Sequence, residues 1–118
     1  MNLPKSKQIP DNTPVLIGAG QYTQRLDGSG TPVLNSPMEL ASRASEAAIN
    51  DAGGVLCAAD IDAIAVIRLF SDSAPAWACP FGRSNNPPQS VAQRLGAAPS
   101  KRIYSNVGGT QPLQLLAE

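Results

Sequence analysis

The chain has 118 residues, room for one small domain or part of a larger one. Apolar residues at 42% against 15% charged rule out disorder along the whole length, and aromatics at 4% leave Ala, Ile, Val and Leu to fill the core. Nine basic and nine acidic side chains cancel, with no basic run of the kind that neutralises phosphates, so nucleic acid is a poor partner.

Residues 1–12 form a polar lead carrying Pro4 and Pro10. They lack the apolar core of a secretory signal, which makes the cytoplasm the expected compartment. Pro14-Val15-Leu16-Ile17-Gly18-Ala19-Gly20 is an unbroken apolar run ending in glycines, the pattern of a strand covered on both faces. Gly18 and Gly20 alone do not make a dinucleotide-binding turn, because position 23 is Thr and loop follows instead of a helix. Gln24 to Asn35 is loop.

Ser36-Pro37-Met38-Glu39 carries a full helix-start signal. Ser36 can cap free N–H groups, Pro37 suits the first helical position, and Glu39 can close a capping box. Leu40, Ala44, Ala48 and Ala52 then recur every four residues as a narrow face of small side chains. Arg43, Glu46 and Asn50 fall opposite, and Gly53-Gly54 stop the helix. Ala63 to Phe70 is a second apolar strand, interrupted by Arg68. Ser71 to Asn86 is a long surface loop. Pro87-Pro88-Gln89 opens a short helix with Val91, Ala92 and Leu95 inward and Gly96 as its stop. Lys101 to Val107 is a third strand, and Gly108-Gly109-Thr110-Gln111-Pro112 turns the chain into a last helix.

The predicted order is βαβαβα, an α/β arrangement with a parallel three-stranded sheet. Three parallel strands leave two open edges, which native sheets cover or pair. We therefore expect a unit incomplete as a domain, with residues 13–118 as its first half, finished by further chain or by another chain. The longest apolar-rich stretch, 63–70, is far shorter than the ~20 residues of a spanning helix, so no membrane is expected. Cys57 and Cys79 lack metal-ligand spacing, histidine is absent, and no metal is expected. Asp60 and Asp62 read as turn and capping residues, and Arg68 as emerging at a strand end.

Several segments together resemble the start of a thiolase, in particular the acetyl-CoA acetyltransferases close to the sterol-carrier-type thiolases. They are residues 14–21 (PVLIGAGQ), 36–41 (SPMELA), 47–53 (AAINDAG), 60–64 (DIDAI) and 88–96 (PQSVAQRLG). The resemblance implies sheet order 3-2-1, a CoA ester as substrate or ligand with no further cofactor, and an oligomeric working state. In that family the helix after the third strand begins at a nucleophilic cysteine, where a helix N-terminus favours the thiolate. The corresponding stretch here is Ser105-Asn106-Val107-Gly108-Gly109-Thr110-Gln111, with Gly108 in the cysteine's place. Glycine has nothing to acylate, so the resemblance implies no catalytic residue in this stretch. It leaves Asn106, Gly108, Gly109 and Thr110 as the residues lining an acyl pocket. Arg83-Ser84-Asn85-Asn86 could touch a CoA phosphate or serve only as a polar loop ahead of a helix. Two functions follow: an acyltransferase of the thiolase type, or a non-catalytic subunit that binds CoA esters.

Overall fold

The structure is a computed structural model that describes residues 8–25 and 34–117. Helix α1 spans Pro37–Asp51 and starts as its sequence dictates: the Ser36 hydroxyl accepts the Glu39 N–H at 3.2 Å, with Pro37 in the first turn. Gly53 and Gly54, both at positive φ, lead the chain away from its far end. Strand β1 is Ala63–Val66, helix α2 Pro87–Leu95, strand β2 Lys101–Tyr104 and helix α3 Gln111–Ala117. Between β1 and α2 the loop folds into two 3₁₀ turns, Phe70–Asp72 and Pro75–Trp77, whose aromatic rings stack 4.7 Å apart.

Helix α2 is bounded at both ends by its own residues. The Asn86 side chain accepts from Gln89 N–H at its start. At its end Gly96 takes the left-handed conformation, φ +72°. Ala97 N–H then bonds to Ala92 C=O and Gly96 N–H to Gln93 C=O, which satisfies two of the last free carbonyls. As the sequence predicts, Val91 and Ala92 are buried and Leu95 is half-buried.

The core lies where α1 meets α2: Met38, Ser42 and Ala52 from the first, Pro87, Pro88, Val91 and Ala92 from the second. Buried Ser42 turns its hydroxyl back to Met38 C=O at 2.7 Å, so no polar group is stranded there. The predicted small-residue face is adjacent. Its alanines are half-buried apart from Ala52, and the most buried line runs through Met38 and Ser42, one step round the helix. Across the surface Glu39 joins the two helices, meeting Arg94 Nε at 3.0 Å and Arg43 Nε at 3.4 Å.

β1 and β2 pair in parallel, Ala63 opposite Lys101 through Val66 opposite Tyr104, with α2 packed on both. Lys101 N–H reaches Asp62 C=O and Ser105 N–H reaches Val66 C=O, extending the ladder at each end. The adjacency of the second and third predicted strands is thus present, both shorter than their apolar runs suggest. The first predicted strand is a correction. Among the described residues the sheet has two strands, and 14–20 pair with neither. That segment lies on α1. A Cβ at Gly18 would fall on Ala48 C=O, and one at Gly20 on Ala44 C=O and Ala48 N, so the two glycines let backbone rest on backbone. Ala19 N–H donates to the Asp51 carboxylate at 2.9 Å. Leu16 is left 83% exposed. Ile17 and Gly18 share a hollow of about 310 Å³ with Ile61, Ala63, Ile64 and Ala65, so the segment faces β1 across a gap instead of bonding to it. Among the described residues no helix is long and apolar enough to cross a membrane. Residues 1–7 of the expected polar lead and 26–33 of the expected loop lie outside the described residues.

Candidate functional site

Both strands run the same way, so their carboxyl ends share one edge, where parallel α/β sheets gather binding residues on the loops that follow. Two loops leave this edge: 67–86 after β1 and 105–110 after β2.

The second loop holds the residues singled out by the sequence. Ser105 is fixed by its bond to Val66, and Gly108 C=O accepts Gln111 N–H at 3.2 Å as the chain enters α3. Asn106, Gly108, Gly109 and Thr110 are all exposed. Gly108 stands at φ +157°, and a Cβ there would meet only Gln111 Cγ at 3.8 Å; around Gly109 nothing stands within 4 Å. The turn is open to a ligand and offers no thiol. Behind it, Pro112, Leu115 and Leu116 of α3 face Ala41, Ile64 and Val66 across an apolar hollow.

The first loop brings polar groups to the same edge. Tyr104 closes β2, and its hydroxyl donates to Asp72 Oδ2 while accepting Leu69 N–H at 3.1 Å. Asp72 is the hub: Oδ1 lies 3.6 Å from Arg83 Nε, its carbonyl accepts from Arg68 Nη2 at 3.1 Å, and its side chain is 12% exposed. Burial, and then the bond to Asp72, raise the Tyr104 phenol above its usual 10.0 and keep it protonated as a donor. Arg68, Asp72, Arg83, Ser84, Asn85 and Tyr104 line an open cleft at this edge. A smaller cavity of about 250 Å³ adjoins it, reaching Met38, Cys79, Phe81 and Arg94.

Arg68 and Arg83, noted in the sequence, therefore both reach Asp72, one at its carbonyl and one at its carboxylate, and Asp72 and its partner Tyr104 are residues that sequence reasoning passed over. Asp72 and Tyr104 are 32 residues apart and marked by no motif; only the pairing of β1 with β2 brings them together. Asp60 and Asp62 lie at the opposite end of β1 and do local work. Asp60 Oδ2 accepts from Cys57 N–H at 2.9 Å and Sγ at 3.1 Å, and the backbone bond first, then the thiol, hold its carboxyl below the usual 3.8. Asp62 Oδ1 accepts the Ser100 hydroxyl at 2.7 Å. Cys57 is exposed and Cys79 half-buried, both as free thiols. Among the described residues, no three His, Cys, Asp or Glu side chains cluster closely enough to hold a metal ion.

No family model matches the chain, and no curated protein does. Solved structures do match. One is a monomeric SCP2-thiolase-like protein type 1 from Mycobacterium smegmatis, 31% identical, with a TM-score of 0.58 over 86% of this chain. The chain spans 18% of that protein's length. The two parallel strands with their helices are thus a thiolase-like α/β fold, similar to part of an SCP2-thiolase-like protein.

Proposed function

We propose that the chain belongs to a thiolase-type protein acting on acyl-CoA in the cytoplasm, of the acetyl-CoA C-acetyltransferase kind by resemblance. In this reading residues 13–118 are the first half of its N-terminal domain, preceded by the polar lead 1–12. The carboxyl edge of the sheet holds a CoA ester, with Asn106, Gly108, Gly109 and Thr110 beside the acyl group. Gly108 stands where such enzymes carry their nucleophile, so this stretch binds the ester without forming an acyl-enzyme. The observation that carries the reading is the glycine at 108 within a chain 31% identical to an SCP2-thiolase-like protein.

The same observation favours the second function, a CoA-ester-binding subunit without covalent chemistry, over an acyltransferase that works through position 108. Completion by further chain or by a second copy fits the exposed surface. Leu116 is 78% exposed, and each strand is paired on one edge only among the described residues.

Intact mass of the natively expressed protein, before and after incubation with acetyl-CoA, tests the reading together with calorimetric titration of CoA. Binding of CoA with no gain in mass is expected. A stable acetyl adduct would mean that a nucleophile elsewhere in the protein restores the acyl-enzyme route. Absence of CoA binding would sink both functions.

A further inference from the structure

No further inference is drawn: the strongest candidate, the exposed aromatic patch on the loop between β1 and α2, where the Phe70 and Trp77 rings stack at 62% and 53% exposure, is an unpartnered apolar face, and nothing in the structure shows what covers it.

Discussion

Tyr104→Phe tests the join between the two loops most directly. The substitution keeps the ring and removes one oxygen, which donates to Asp72 and accepts Leu69 N–H at 3.1 Å. A hydrogen bond to a charged group contributes about 1.5–3 kcal/mol and a neutral one about 1. Tyr104 is only half-buried and Asp72 keeps Arg83, so the low end applies, roughly 2 kcal/mol for both bonds together. For a chain of this size that is a fall of about 8 °C in Tm. Denaturant titration reads it as a lower midpoint at unchanged slope, and hydrogen exchange reads it locally as faster exchange at the Leu69 amide. The pH limb supplies a second readout. The phenol is raised above 10.0, so the folded chain keeps a proton that the unfolded chain releases. Its contribution is complete below pH 10 and is lost as pH climbs through the raised value; the Phe variant lacks that alkaline loss. A change under ~0.5 kcal/mol with the Leu69 amide as protected as before would refute the role of Tyr104 as the clasp of this edge.

Three further outcomes follow from the same packing. Gly20→Ala puts a methyl group onto the backbone of Ala44 and Ala48 and should cost about 1–3 kcal/mol, exposing 13–21 to limited proteolysis, whereas Gly109→Ala meets nothing within 4 Å and should leave proteolysis and midpoint unchanged. Glu39→Gln removes the carboxylate shared by Arg43 and Arg94; because all three side chains are partly exposed, denaturant titration should show a loss below ~1 kcal/mol that shrinks as salt is added. A thiol reagent followed by peptide mapping should label exposed Cys57 ahead of half-buried Cys79, and equal rates would contradict their placement.

What the sequence made legible was whatever is decided within a few residues. The Ser36-Pro37 start of α1, the Pro87 start and Gly96 stop of α2 and the parallel pairing of its flanking strands each follow from local signals and apolar runs. The strand expected over 14–20 fails for a reason no local pattern holds. Its apolar run suits a sheet equally well, but its two glycines also allow direct backbone contact with α1, and that tertiary choice won. The candidate site divides in the same way. The turn at Asn106–Thr110 was legible because it is contiguous. The Asp72–Tyr104 clasp was not, because it exists only once β1 and β2 are side by side.

The two kinds of glycine in this chain separate structure from chemistry. At Gly20 a side chain is forbidden by its neighbours, so glycine there answers to packing. At Gly108 the neighbours leave room, and the only demand is the backbone angle, φ +157°, which costs a non-glycine residue ~1–3 kcal/mol. A thiol at 108 would thus fit the space and strain only the turn. What the turn forgoes with glycine is a reacting atom, while beside it the Asp72 carboxylate accepts from Tyr104 and approaches Arg83, and the Asp72 carbonyl accepts from Arg68. On the function proposed above, this edge holds its ligand without a nucleophile at its centre, and any bond-making there must come from groups other than residue 108.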